Sequence, residues 1–287
     1  MNPMTYSTLV SSAKLATHLD DPHWVIVDCR HDLTAPDAGE QAYASGHLQG
    51  AHFMHADRDL AGPVNGRNGR HPLPAADSFM QALGKAGITP DAQVVAYDAQ
   101  GGIFASRLWW MLRHWLGHER VAVLDGGWNK WAAEARPQNT AVPRPATTVY
   151  AATPRDSVID AGHVLAHLGK PGMLLVDARA ADRYRGENET LDPVGGHIPG
   201  AQNRFFRDNL DAGGQFKSAA TLRLEFEQLL AGAPASQVVH QCGSGVTACH
   251  NALAMDIAGF TGHKVYAGSW SEWCSDPARP VKTGAEP

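Results

Sequence analysis

The chain carries the same series of motifs twice, and this duplication restricts its possible folds more than any other feature. Each copy has an apolar run ending in Asp-x-Arg, then a Gly-His-x-x-Gly-Ala block, a second apolar run and a Gly-x-Trp sequence. The first copy holds them at 25–30, 46–51, 94–98 and 126–128, and the second at 174–179, 196–201, 238–242 and 268–270. Because the order and spacing agree, we predict two related domains and not the short repeats of a solenoid.

Each copy alternates short, continuous apolar runs with segments of helical periodicity. Strands that are apolar throughout are typical of a parallel sheet buried between helices. In the second copy, Ser218 is a good N-cap for a helix whose apolar face includes Leu222 and Phe226. We therefore predict an α/β fold in both copies, each with a mainly parallel sheet flanked by helices.

A proline-containing segment separates the two copies. Residues 138–157 include Pro143, Pro145 and Pro154 and show little apolar periodicity. Such a composition is typical of an extended linker. We predict a first domain over 1–137, a linker over 138–157 and a second domain over 158–287.

Composition excludes several classes of protein. The chain has 287 residues and a formal net charge of −5, which is not typical of a protein that binds nucleic acid through bulk charge. Neither a leader-like start nor an apolar stretch long enough to span a membrane is evident, so we expect a cytoplasmic protein without a membrane partner. The cysteines, which form no C-x-x-C pair, are Cys29, Cys242, Cys249 and Cys274. We expect reduced thiols, no metal site and no cofactor.

Cys242 is the strongest candidate for a catalytic residue. It follows the apolar run 238–241 and precedes a loop of small residues that leads into a predicted helix. Backbone N–H groups at a helix start, together with the helix dipole, stabilise an anion such as a thiolate. Cys242 also falls at the carboxyl end of a strand, where open α/β sheets carry their reactive sites. We predict that it is a nucleophile.

The two copies differ at this position. Where the second copy has Cys242, the first has Asp98, followed by Ala99-Gln100-Gly101-Gly102. A carboxylate cannot replace a thiolate as a sulfur nucleophile. We therefore predict one active site, in the second domain, and an inactive first domain.

Together, these motifs resemble those of the two-domain sulfurtransferases of the rhodanese family over nearly the whole chain. The resemblance includes the loop 242–247 and the closing Gly-Ser-Trp-Ser-Glu-Trp at 268–273. The loop residues after the cysteine are Gly243, Ser244, Gly245, Val246 and Thr247. Gly243 and Ser244 are uncharged, which is similar to members that use 3-mercaptopyruvate, whereas thiosulfate sulfurtransferases typically have basic residues there.

The resemblance implies a definite chemistry. Cys242 takes a sulfur atom from a small-molecule donor, forms a persulfide and passes the sulfur to a thiol, cyanide or a thioredoxin-like protein. Loop N–H groups stabilise the developing charge, while the Ser244 hydroxyl assists the departing group and Thr247 supports the turn. The expected donor is 3-mercaptopyruvate. The alternatives are thiosulfate as donor, or a persulfide carrier that serves a partner protein.

The resemblance also implies residues that hold the donor. A keto-acid carboxylate is best bound by the planar donors of arginine, and the family pattern indicates Arg183 with its neighbour Arg185. A second family arginine, expected shortly before the Gly-His-Ile-Pro-Gly block, is absent from 187–195. The same resemblance indicates His47, with Asp37 as an acidic partner, as possible contributors from the first domain.

A phosphatase of related architecture is the nearest rival enzyme. Such enzymes hold the phosphate with an arginine six residues after the cysteine, but Ala248 occupies that position. The sequence therefore argues against phosphate chemistry.

Overall fold

The computed structural model describes residues 5–287, which form two compact units. The first unit comprises 5–62, 74–156 and 213–215, and the second comprises 63–73, 157–212 and 216–287. The segment 63–73 thus lies within the first copy in sequence but packs with the second unit. The domain limits expected from the sequence assign 63–73 to the first domain. Those limits stay a prediction.

The first unit contains a five-stranded parallel sheet in the order β1-β6-β5-β2-β4. Its strands are β1 (Leu9–Val10), β2 (Trp24–Asp28), β4 (His52–Phe53), β5 (Gln93–Tyr97) and β6 (Val121–Leu124). Its helices are α1 (Ser12–Ala16), α2 (Ala38–Ser45), α3 (Ala76–Lys85), α4 (Ile103–Trp110) and α5 (Gly127–Ala133). A π-helical turn, Met111–Trp115, extends α4, and β3 (His47–Leu48) pairs antiparallel with β7 (Gln138–Asn139).

The second unit repeats this topology. Its parallel sheet has the order β10-β9-β11-β12-β8, which matches the first sheet strand for strand. The strands are β8 (Val158–Ile159), β9 (Leu174–Asp177), β10 (Gln202–Asn203), β11 (Val238–Gln241) and β12 (Lys264–Tyr266). The helices are α6 (Ala161–His167), α7 (Ala181–Arg185), α8 (Ala219–Leu230), α9 (Thr247–Ile257) and α10 (Ser269–Trp273), with short 3-10 turns at Phe206–Asn209 and Ala235–Gln237. The predicted duplicated α/β fold is confirmed.

The central strands are buried because their apolar side chains face helices on both sides of each sheet. Residues 94–97 of β5 and all of β11 are buried, as the continuous apolar runs predict. Ser218 caps α8 by accepting a hydrogen bond from the Thr221 N–H at 3.1 Å. Leu222 and Phe226 of that helix are fully buried.

The repeated polar motifs have the same structural role in both units. Arg30 binds the buried Asp28 carboxylate and the Gly46 carbonyl, and in the second unit Arg179 binds Asp177 and the Gly196 carbonyl. Each pair ties the end of a strand to the Gly-His turn. Buried charges of this kind are tolerated because they are paired and fully hydrogen-bonded.

The segment predicted as a linker is extended and packs on the first unit. The Thr148 N–H donates to the Gly84 carbonyl at 3.0 Å, and the Arg155 N–H donates to the Trp115 carbonyl at 2.7 Å. Tyr150 is buried beside His118. Over residues 5–287, the helices are all too short or too polar to cross a bilayer.

Candidate active site

Cys242 lies in the loop that joins β11 to α9, as the sequence predicts. The residue is 2% exposed, and its Sγ accepts a hydrogen bond from the Gly245 N–H at 3.1 Å. Gly245 has a φ of 79°, and a Cβ there would lie 2.2 Å from the Ala267 carbonyl oxygen. Only glycine fits this backbone position, and the turn that it permits aims an N–H group at the sulfur.

The Gly-Ser-Trp sequence that closes the second copy supports this loop. The Cys242 N–H donates to the Ser269 hydroxyl at 3.1 Å, and the Trp270 N–H donates to the Cys242 carbonyl at 3.0 Å. The Ser271 N–H donates to the Gly243 carbonyl at 2.9 Å. Both polar backbone groups of Cys242 are thereby fixed, which holds the thiol at one position.

Two guanidinium groups lie against Gly243, the residue next to the thiol. A Cβ at Gly243 would lie 2.9 Å from Arg70 Nη2 and 3.7 Å from both terminal nitrogens of Arg183. The φ of Gly243 is not in the left-handed region, so it is space and not backbone geometry that requires glycine. Arginine side chains occupy the volume that a larger residue at 243 would need. The positive charge next to the cysteine is therefore supplied from elsewhere in the unit.

Two carboxylates bind these arginines. Glu189 accepts hydrogen bonds from Arg183 Nη2 at 2.7 and 2.9 Å and lies 3.5 Å from Arg179. Asp192 pairs with Arg70 and lies 3.6 Å from Arg183. Burial alone would raise the pKa of Glu189, but the hydrogen bonds and charge of Arg183 bring it below its usual value. For Asp192, burial outweighs Arg70 and raises the pKa.

Ser244 has a histidine partner that the sequence analysis does not identify. The Ser244 hydroxyl and His71 Nδ1 are 2.7 Å apart, and both residues are buried. A serine beside an imidazole can accept or deliver a proton. This pair lies within the second unit, because 63–73 packs there.

The segment 63–73 positions Arg70 and His71 by close backbone contact. Gly69 has a φ of 82°, and a Cβ there would lie 2.7 Å from the Gly268 carbonyl oxygen. The Arg70 N–H donates to the Ser271 hydroxyl at 3.0 Å. The segment therefore rests on the same Gly-Ser-Trp-Ser sequence that supports the cysteine loop.

Several predicted residues do not join this cluster. Arg185 forms an ion pair with Glu187, with Nη2 and Oε2 2.7 Å apart, and the Glu187 side chain is 56% exposed. Arg185 therefore pairs at the surface and not beside the thiol. Asp37 is exposed at the start of α2, and its side chain caps no N–H group there. The predicted partnership of Asp37 with His47 is corrected, because both ring nitrogens of His47 face backbone carbonyls, those of Tyr43 and Ala141.

The contacts of His47 are those of a residue that maintains the fold. His47 stacks on Tyr43 with ring centroids 3.9 Å apart, and His197 stacks on Tyr184 at 3.8 Å in the second unit. Nδ1 of each histidine lies within hydrogen-bonding distance of the carbonyl of that tyrosine. Because both copies share this arrangement, the contacts of His47 are explained by the fold alone.

Arg70 and His71 are the site residues that sequence reasoning missed. They lie in the long stretch between β4 and α3, which has no regular secondary structure apart from turns. A loop of that length inside a compact domain is usually functional. The length of this loop could have indicated a functional role from the sequence. The sequence does not indicate that the loop packs with the second unit.

The first unit contains a group of side chains that could hold a metal, and this group does not include the thiol. In the first unit, one ligand atom from each of His31, His55 and Asp57 lies within 4.8 Å of the others. Cys242 belongs to no such group among residues 5–287.

Comparison with known proteins agrees with this fold. The model of the rhodanese-like domain matches residues 11–134 and again 160–276. The chain therefore belongs to the rhodanese-like family, with one domain in each copy.

The most informative relatives are sulfurtransferases. A Pseudomonas aeruginosa protein named "Probable 3-mercaptopyruvate sulfurtransferase" is 46% identical, covering 98% of this chain and 100% of its own. The thiosulfate sulfurtransferase of Mus musculus is 34% identical, covering 95% and 94%. The structure of 3-mercaptopyruvate sulfurtransferase from Leishmania major superposes with a TM-score of 0.81 at 29% identity, covering 93% of this chain and 74% of that one. The prediction of a sulfurtransferase enzyme is confirmed.

Proposed function

We propose that this enzyme moves a sulfur atom from 3-mercaptopyruvate to an acceptor through a persulfide on Cys242. The observation that carries the choice of donor is the pair of guanidinium groups, Arg70 and Arg183, that lie against Gly243 beside the thiol. A planar guanidinium is suited to a carboxylate, and 3-mercaptopyruvate carries one. Arg70 takes the role for which the sequence offers no second arginine between 187 and 195.

The first half-reaction forms one bond and breaks one. The Cys242 thiolate attacks the donor sulfur, so the Sγ–S bond forms as the C–S bond of the donor breaks. The bonding pair stays on carbon as the enolate of pyruvate, which then takes a proton to give pyruvate. Ser244, hydrogen-bonded to His71, is the proposed route for that proton. The Gly245 N–H, already on Sγ, stabilises charge on sulfur.

The second half-reaction returns the free thiolate. Cyanide or a thiolate attacks the outer sulfur, and the S–S bond breaks to give thiocyanate or an acceptor persulfide. A thioredoxin-like protein is the proposed protein acceptor. We also place the enzyme in the cytoplasm, a proposal supported by four cysteines that are all free and buried.

Donor competition tests the proposal. Thiocyanate formation should be measured with 3-mercaptopyruvate and with thiosulfate, using cyanide as the acceptor for both. We expect kcat/KM to favour 3-mercaptopyruvate by about tenfold or more, because its carboxylate matches the arginines. Equal or reversed values would contradict the assigned donor and favour thiosulfate.

The persulfide is tested separately. Incubation with 3-mercaptopyruvate but no acceptor should add the mass of one sulfur atom to the chain, and peptide mapping should locate it on Cys242. If an added sulfur appears on another cysteine, or on none while the enzyme turns over, the proposed intermediate is wrong.

A further inference from the structure

Asp192 lies between the two arginines that flank the cysteine loop. Its Oδ1 accepts a hydrogen bond from Arg70 Nη1, and its Oδ2 lies 3.6 Å from Arg183 Nη2. The Asp192 side chain is 3% exposed, whereas those of Arg70 and Arg183 are 29% and 20% exposed. The guanidinium groups are therefore accessible to an anion from solvent, while the carboxylate that neutralises them is buried.

The loop around Asp192 is held in place by a second carboxylate. Glu189 accepts from the Asp192 N–H at 3.2 Å and from the Leu191 N–H at 2.9 Å. Its side chain is 4% exposed and binds Arg183 through both oxygens. Arg179 lies near Glu189 but is already paired with Asp177. The negative charges of Glu189 and Asp192 therefore offset the positive charges of the two arginines that lie against Gly243.

One oxygen of Asp192 is incompletely bound. Oδ2 is buried and accepts no hydrogen bond from residues 5–287, because Arg183 Nη2 stays 3.6 Å away. An unpaired buried carboxylate oxygen has an energetic cost. The Asp192 carboxylate therefore lies close enough to Arg183 to offset its positive charge, although the two groups form no hydrogen bond.

Building on the proposed function, we propose that Asp192 is a specificity-determining residue whose carboxylate competes with the sulfur donor for Arg70 and Arg183. Coulomb energy scales with the product of the charges, so a fixed negative charge repels a dianion about twice as strongly as a monoanion. Thiosulfate is a dianion, and 3-mercaptopyruvate with a neutral thiol is a monoanion. Asp192 therefore discriminates against thiosulfate by repulsion, in addition to any attraction for the keto acid.

The test is Asp192→Asn, which keeps the shape of the side chain and removes its charge. We expect the KM for 3-mercaptopyruvate to fall about fivefold at nearly unchanged kcat, and kcat/KM for thiosulfate to rise about 30-fold. The matched control is Glu227→Gln on α8, which removes one negative charge from an exposed pair with Arg223. It should leave both KM values unchanged.

Damage to the loop would have a different signature. A merely structural role for Asp192 predicts a lower kcat and a higher KM for both donors in Asp192→Asn, and this result would overturn the proposal. An equal gain for the two donors would also overturn it, because the discrimination depends on donor charge.

A binding measurement separates this proposal from the proposed function. Sulfate, an unreactive dianion like thiosulfate, should bind about 30-fold more tightly to Cys242→Ser/Asp192→Asn than to Cys242→Ser, measured by calorimetry at constant ionic strength. Equal sulfate affinities would refute the role of Asp192, whether or not the enzyme transfers sulfur. Failure of the proposed function would instead appear in the wild-type protein, as equal or reversed kcat/KM values for the two donors or as no turnover of either.

Discussion

The strand-to-helix loops of the two copies have equivalent locations, but the first carries a carboxylate and the second a thiol. In the first copy, the Asp98 carboxylate accepts hydrogen bonds from the N–H groups of Gln100, Gly102, Phe104 and Ala105, at 2.8 to 3.0 Å. In the second, Cys242 Sγ accepts from the Gly245 N–H at 3.1 Å. The first loop thus binds an anion that belongs to the chain itself. The second loop places a thiol, the proposed nucleophile, at the equivalent position.

A second difference concerns the turn before the Gly-His motif. Tyr43 and Tyr184 are equivalent, since each donates its hydroxyl hydrogen to the carbonyl of the alanine that ends the motif, Ala51 or Ala201. The stacked histidine follows four residues later in the first copy and thirteen residues later in the second. The longer turn of the second copy carries Glu189 and Asp192, and the shorter turn of the first copy has no positions equivalent to them.

The residue before each tyrosine also differs. Ala42 precedes Tyr43 in α2, and Arg183 precedes Tyr184 in α7. The two positions are equivalent in the fold, but only the second copy has a charged side chain there. The two copies share the Asp-Arg pair and the Tyr-His stack. The residues of the candidate site occupy positions near these pairs at which the two copies differ.

The largest expected effect comes from removing the nucleophile. Cys242→Ser should lower thiocyanate production to the uncatalysed rate, because an alkoxide cannot form the persulfide. The matched control, Cys29→Ala, alters the cysteine of the first copy, whose pKa is raised by burial and by Asp28. It should keep wild-type kcat. Turnover by Cys242→Ser would show that the two loops do not differ as described.

Removing Asp98 tests the comparison through stability. Asp98→Ala leaves four backbone N–H groups without their acceptor, and we expect it to lower the free energy of unfolding by about 3–5 kcal/mol. Cys242→Ala, which removes one weak acceptor, should cost about 1 kcal/mol. Urea unfolding followed by tryptophan fluorescence measures both. Similar losses for the two variants would mean that the first loop is not held by its own carboxylate.

A smaller effect separates the neighbouring arginines of α7. Arg183→Ala should lower kcat/KM for 3-mercaptopyruvate about 30- to 100-fold, equivalent to about 2–3 kcal/mol for a lost charged contact. Arg185→Ala should change it less than about twofold, because an exposed ion pair contributes little. Steady-state kinetics on both variants gives the ratio. A larger loss from Arg185→Ala would contradict the assignment of Arg183 beside the thiol.

The fold follows closely from the sequence because its signals are local and repeated. The apolar runs, the Ser218 cap and the duplicated motifs each restrict a short stretch of chain, and the two copies confirm one another. The catalytic loop is predictable for the same reason, since Cys242 and Gly245 act through a turn that they themselves form. Arg183 could be placed only through the family pattern.

The remaining site residues depend on contacts between distant parts of the chain. His71 and Ser244 are separated by 173 residues, and no periodicity links them. Asp192 follows Arg183 closely, but its pairing with Arg70 spans 122 residues. His47 was indicated by the family resemblance, but its ring nitrogens lie against the backbone carbonyls of Tyr43 and Ala141.

The packing of residues 63–73 with the second unit has an evolutionary consequence. A duplicated gene normally yields two halves that can be separated, lost or recombined independently. Here the stretch that carries Arg70 and His71 is encoded inside the first half, so a second half inherited alone would keep the thiol but lose its basic and histidine neighbours. The first half of the chain is therefore needed for the complete arrangement around Cys242, although its own strand-to-helix loop carries Asp98 in place of a thiol.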